Sequence, residues 1–165
     1  MGLKSTFLGS VLLVGLSLQG AFAQQLDNTY KDWSVFTLSQ NGKKVCYIAS
    51  APKKKTGNYN KRGEPYVLVT YINPTTDEAS TSAGYPFKQG SEVLFTIENK
   101  QYKMFTKGEL AWAYDSTQDR AIIQAMKNGS DMTIKGTSQL GTYSVDTYSL
   151  RGFTKSYARM KALCK

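Results

Sequence analysis

The pair Asn41-Gly42 lies between two runs rich in apolar and β-branched residues, 33–40 and 43–51. No other short feature constrains this chain as strongly. A two-residue type I′ turn needs positive φ at both central positions, and Asn-Gly meets that need better than almost any other pair. The turn fixes a register in which Leu38 faces Val45, Thr37 faces Cys46, Phe36 faces Tyr47 and Val35 faces Ile48. Apolar pairs then fall on both faces, so part of the hairpin should be covered on both sides.

The same punctuation recurs downstream. Residues 66–72 form a β-branched and aromatic run bounded by Pro65 and by Asn73-Pro74. Residues 75–83 are small and polar and predict at most a short edge strand. Residues 92–98 alternate, with Val93, Phe95 and Ile97 on one face. A turn at 99–100 returns the chain through 102–105, and 110–114 adds a strand carrying Trp112. Two more strands are predicted at 132–138 and 142–150, around Gly141. The periodicity changes in two places. Ala121, Ile122, Ala125 and Met126 recur at helical spacing after a capping-box pattern at 116–119, and Asn128-Gly129 supplies a stop. Phe153, Tyr157, Met160 and Cys164 line one face of a C-terminal helix. These elements predict a mainly β chain: an antiparallel β-sandwich of about seven to eight strands, with one short mid-chain helix and a C-terminal helix.

Residues 1–23 read as a signal peptide. Lys4 precedes an uncharged apolar run, 7–18, and Ala21-Phe22-Ala23 is a small-x-small cleavage site. The run is shorter than the roughly 20 residues a spanning helix needs, and no later segment is long and apolar enough to span. Residues 24–165 are then one domain outside the cytoplasm, in the periplasm or at the cell surface, with no transmembrane span. Lys4 is the only charged residue of 1–23, so the 21 basic and 12 acidic residues of the precursor become 20 and 12, a net charge of +8.

Cys46 and Cys164 are the only cysteines. An oxidising compartment, the absence of His and the lack of a C-x-x-C predict that they form a disulfide rather than a metal site. Without His the chain also lacks the commonest general base and metal ligand. No nucleophile elbow or phosphate loop is present, and no cofactor is expected. A carboxylate-dependent hydrolase stays open, because paired acids meet only in the fold, but it is the weakest of the functional readings. Trp33, Trp112, Asp146 and Tyr148 are read as structural: the aromatics as core, Asp146 as a buried hydrogen-bonding group.

The positive charge concentrates in 52–63, which contains Lys53, Lys54, Lys55, Lys61 and Arg62, no acid, and Tyr59 near its tip. With Gly57, Asn58 and Asn60 beside them, these residues read as a mobile basic loop suited to an anionic partner. An anionic membrane, a glycan or an envelope component fits this charge. The exported setting argues against nucleic acid.

Several phrases occur in a characteristic order: Trp33 with Cys46 following, Gly84-Tyr85-Pro86-Phe87, Gly108-Glu109-Leu110-Ala111-Trp112-Ala113, Ala125-Met126-Lys127-Asn128-Gly129, Asp146-Thr147-Tyr148-Ser149-Leu150 with Gly152-Phe153, and Cys164 near the end. Together they resemble the invasion-associated locus B family over essentially all of 24–165. The resemblance implies an exported bacterial protein with a β-rich fold, associated with entry into host cells, erythrocytes included. It implies no catalytic residues. It is compatible with a non-enzymatic protein that binds an anionic surface or a host-cell surface protein. It is also compatible with a periplasmic envelope-maintenance factor that affects invasion indirectly.

Overall fold

The computed structural model describes residues 24–165, so the predicted signal peptide lies outside the described residues. In chain order the elements are β1 (Gln25–Tyr30), β2 (Trp33–Gln40), β3 (Lys43–Ser50), β4 (Lys54–Gly57), β5 (Tyr66–Asn73), β6 (Thr76–Ser82), β7 (Glu92–Ile97), β8 (Lys100–Lys107), β9 (Leu110–Trp112), α1 (Ser116–Asn128), β10 (Asp131–Thr137), β11 (Tyr143–Ser149) and α2 (Phe153–Cys164). The fold is mainly β and antiparallel with the two expected helices, but the described residues form eleven strands rather than seven or eight. The two wholly unexpected strands, β1 and β4, read QLDNTY and KKTG and carry no apolar alternation.

All eleven strands belong to one hydrogen-bonded sheet, in the order β1-β2-β3-β5-β6-β9-β8-β7-β10-β11-β4. Only three residues separate β3 from β4, yet β4 lies at the far edge of the sheet. The sheet must therefore curl until its ends approach each other. It encloses its core as a sandwich does, without being two separate sheets. Inward-facing Val35, Cys46, Ile48, Val67, Val69, Phe95, Met104 and Ile134 fill that core, each at most 3% exposed.

The first hairpin forms in the predicted register, from Val35↔Ile48 through Leu38↔Val45. On one face Trp33, Val35, Cys46 and Ile48 are fully buried, whereas Phe36, Leu38, Val45 and Tyr47 on the other are only half-buried. The segment 76–82 is no edge. β6 pairs with β5 and β9, and its small residues are almost all buried. β9 stops at Trp112 opposite Ser80, so the amide of Ala79 has no strand partner on that side. The carboxylate of Asp119 on α1 accepts from it at 2.8 Å. Asp119 is therefore not the reciprocal member of a capping box. Asp115 caps α1 by accepting from Thr117 N and Gln118 N, one residue earlier than expected.

α2 closes the curled sheet over its first strands. The Trp33 indole donates to Ser149 O at 3.0 Å and meets the Phe153 ring edge-on at 4.9 Å, and Ser156 Oγ donates to Trp33 O. Cys46 and Cys164 are joined by a disulfide across 118 positions, pinning the end of α2 to β3.

Candidate anion-binding surface

The basic segment is ordered by the sheet rather than left mobile. Residues 54–57 form β4, which pairs antiparallel with β11 from Lys54↔Thr147 to Gly57↔Ser144. Lys53 N donates to Thr147 O at 2.7 Å, and Asn58 exchanges hydrogen bonds with Tyr143 at the other end. Beyond β4, the 58–65 loop is stitched down where Gly63 N donates to Gly84 O at 2.8 Å. Gly84 has φ +76, and a Cβ there would lie 2.2 Å from Gly63 O, so this close approach requires glycine.

The sharpest departure concerns Arg62. It is not a surface charge, for its side chain is 3% exposed and lies against Asp146, 2% exposed. The guanidinium donates Nη1 to Asp146 Oδ2 at 2.7 Å and Nη2 to Asp146 Oδ1 at 2.5 Å, the bidentate arrangement that suits a planar fork. Nη1 also donates to Ala83 O, Nη2 donates to the Tyr59 hydroxyl at 3.1 Å, and the Tyr59 ring lies 4.2 Å below the guanidinium carbon. Burial alone would loosen the arginine proton, but the Asp146 contacts outweigh it and hold that proton more tightly than in water. Arg62 and Tyr59 therefore leave the anion-binding set and become structural. Asp146 takes the buried role expected of it, with an arginine 84 positions away as its partner.

The other basic residues stay at the surface. Lys53 pairs with Asp32 and keeps a side chain 57% exposed, while Lys55 pairs with Glu64. The hydrogen bond from Lys53 holds the Asp32 carboxyl below its ordinary range, and that from Lys55 does the same for Glu64. Lys54 and Lys61 are exposed and form no ion pair among the described residues. Lys54, on the edge strand β4, also blunts edge-to-edge pairing.

Folding adds cations that sequence proximity did not reveal. Lys31 and Lys53 line one hollow. Lys31 also lines a second hollow of about 620 Å3 with Arg151 and Lys155, and no acid lines that one. Asp32 N donates to Arg151 O, which brings the β1–β2 turn beside the start of α2. The result is a basic band running from the β4 edge past Lys31 to the first turn of α2. Lys31 and Arg151 stand 120 positions apart in the chain, and nothing local marks them as neighbours.

The predicted structural aromatics divide. Trp33 and Tyr148 are fully buried, and burial pushes the Tyr148 phenol well above its ordinary range. Trp112 is not in the core. It lies half-buried on the outer face, stacked on Phe105 at 5.6 Å, with Tyr114 beside them. Its strand neighbour Ala111 points inward and is fully buried, so the pleat turns Trp112 out.

The family model of Invasion associated locus B (IalB) protein matches residues 33–161. The chain belongs to the IalB family. The IalB match starts at Trp33 and takes in Cys46, Arg62 and Asp146, while Cys164 falls just beyond its end. The chain is also similar to the crystal structure of invasion associated protein b from Bartonella henselae, with a TM-score of 0.60 and 15% identity, covering 84% of this chain and 97% of that one. At that identity the likeness speaks for a shared IalB fold. No curated protein matched the chain. The disulfide favours a non-cytoplasmic, exported IalB protein, because such bonds persist in oxidising compartments. Neither helix among the described residues is long and apolar enough to cross a membrane.

Proposed function

We propose that this IalB-family chain is an exported, non-enzymatic binding protein that holds an anionic surface, of the bacterial envelope or of a host cell, through its basic band. The observation that carries this reading is the open edge of the sheet, where Lys53, Lys54, Lys55 and Lys61 are exposed and continue into Lys31, Arg151 and Lys155. A net charge of +8 over 24–165 supports it by steering anionic partners toward the molecule. A non-enzymatic role is supported by the engagement of the buried carboxylates: Asp77 with Tyr157 and Lys161, Asp119 with Ala79 N, and Asp146 with Arg62.

The test replaces Lys53, Lys54, Lys55 and Lys61 by Ser and leaves Arg62 in place, since its loss would disturb the fold. Binding to anionic and neutral liposomes and to host-cell membranes is then compared at low and physiological salt. Each lysine near an anionic surface contributes about 1 kcal/mol, falling off within a Debye length. The variant should bind anionic vesicles much more weakly, with a flatter salt dependence. Equal binding by variant and wild type would remove the lysine edge as the site. Protease accessibility on intact cells separates surface display from a periplasmic location.

A further inference from the structure

On a part of the molecule that shares no lining residue with the basic band, α1, α2 and the β5–β6 turn enclose a hollow of about 440 Å3. Its one lining carboxylate, Asp77, is 6% exposed and fully engaged. Asp77 Oδ2 accepts from the Tyr157 hydroxyl at 2.6 Å, and Lys161 Nζ reaches both carboxylate oxygens, at 2.9 and 3.0 Å. That pairing cancels the charge of Lys161 and leaves two cations over. Lys127 stands 3.9 Å from the centroid of the Tyr157 ring and has no ion pair or side-chain hydrogen bond among the described residues. Arg120 gives one N–H to Thr117 Oγ1 and has no carboxylate partner among them.

The hollow thus gathers an ammonium, most of a guanidinium fork and the Gln124 amide, with no free carboxylate in its lining to balance the two charges. Such a set suits an anion with several oxygens spread in space. We propose that this hollow binds a phosphoryl group, held by Lys127 and Arg120 above the Tyr157 ring, with room for the organic part of a phosphate ester. Burial lowers the proton affinity of the Lys127 amine, and Lys161 adds to that effect against the opposing pull of Asp77. A phosphoryl anion would supply the missing countercharge.

The same unmatched charge makes the test clean. With Lys127 lowered in the folded state, the unfolded chain binds more protons between the lowered value and the ordinary lysine value of about 10.4, so stability rises with pH across that window. At neutral pH the charged amine opposes folding, and Lys127→Met should be at least as stable as wild type.

The experiment titrates the folded protein with inorganic phosphate and glycerol phosphate at constant ionic strength, chloride serving as reference, and follows backbone amides by NMR. Vesicles of phosphatidylglycerol and phosphatidylcholine provide a second arm. Saturable shifts confined to the stretch of α1 from Arg120 to Lys127, the stretch of α2 from Tyr157 to Lys161 and the β5–β6 turn are expected. Lys127→Met should weaken them roughly tenfold or more, the weight of one charge-assisted hydrogen bond, and Arg120→Gln should weaken them too. Lys54→Ser with Lys61→Ser should leave them intact, which separates this site from the basic band. Soluble esters that saturate while vesicle binding ignores Lys127→Met identify a free ester as ligand, whereas Lys127-dependent phosphatidylglycerol binding identifies a lipid headgroup. Shifts that chloride reproduces, or affinity for every probe unchanged in Lys127→Met, overturn the proposal.

Discussion

Asp146→Ala should be among the most damaging single substitutions in this protein. Both partners of the ion pair lie almost wholly out of water, with side chains 3% and 2% exposed. Removing one member of a buried pair leaves an uncompensated charge and costs about 3–5 kcal/mol. What remains around each charge then decides the order of the two variants. After Asp146→Ala the guanidinium keeps Ala83 O, the Tyr59 hydroxyl and the Tyr59 ring. After Arg62→Met the carboxylate keeps no side-chain hydrogen bond among the described residues, because both of its bonds come from Arg62. Asp146→Ala should therefore lie near the lower figure, about 3 kcal/mol, and Arg62→Met nearer about 5 kcal/mol. The double replacement Arg62→Met with Asp146→Leu removes both charges and fills the space, so it should cost far less than the sum of the single changes. Urea unfolding measures all three, provided the slope stays constant while the midpoint moves. Single variants costing less than about 1 kcal/mol, or a double variant equal to their sum, would refute the claim that this pair is buried and coupled.

Replacing Cys46 and Cys164 together by Ser should lower stability by about 4.9 kcal/mol, the chain-entropy value for a loop of this length, read as the shift in urea midpoint between oxidised wild type and variant. Asp119 carries a pKa raised mainly by burial. Between its ordinary value of about 3.9 and that raised value the folded state binds more protons, so its contribution falls as pH rises. Asp119→Asn keeps an acceptor for Ala79 N without the charge, and should flatten this part of the pH–stability curve; an unchanged curve would contradict the assignment. Trp112→Ala should cost less than the roughly 3–5 kcal/mol of a core tryptophan, because one face already meets solvent. A loss in that range on thermal or urea unfolding would place the ring back in the core.

Local chemistry made much of the architecture legible. Asn41-Gly42 gave the hairpin and its register because a type I′ turn fixes both. The spacing of Phe153, Met160 and Cys164 gave α2 and directed its cysteine toward β3. β4 and β6 were harder. A lysine-rich strand and a small-residue strand have no apolar alternation, and each is stabilised by neighbours distant in sequence. Arg62 was misplaced for the same reason: within 52–63 it looks like one more positive charge. What distinguishes it is Asp146 on β11, which no local pattern near Arg62 announces. The basic band was half visible for a related cause, since Lys31, Arg151 and Lys155 come together only when the β1–β2 turn meets the start of α2.

The way α2 closes the molecule bears on when folding can finish. Trp33, at the start of β2, bonds to Ser149 and Ser156, 116 and 123 positions later, and packs against Phe153. The cysteine that locks this arrangement, Cys164, follows its partner by 118 positions. A chain emerging from its N-terminus therefore makes its first hairpin early but lacks the helix that covers Trp33 until Phe153 and Ser156 arrive. Contacts this distant in sequence also form slowly. The order of synthesis thus leaves this side of the molecule open, and the polypeptide threadable through a narrow channel, until α2 has been made; the covalent ring can be sealed only once Cys46 and Cys164 are on the same side of whatever the chain has crossed.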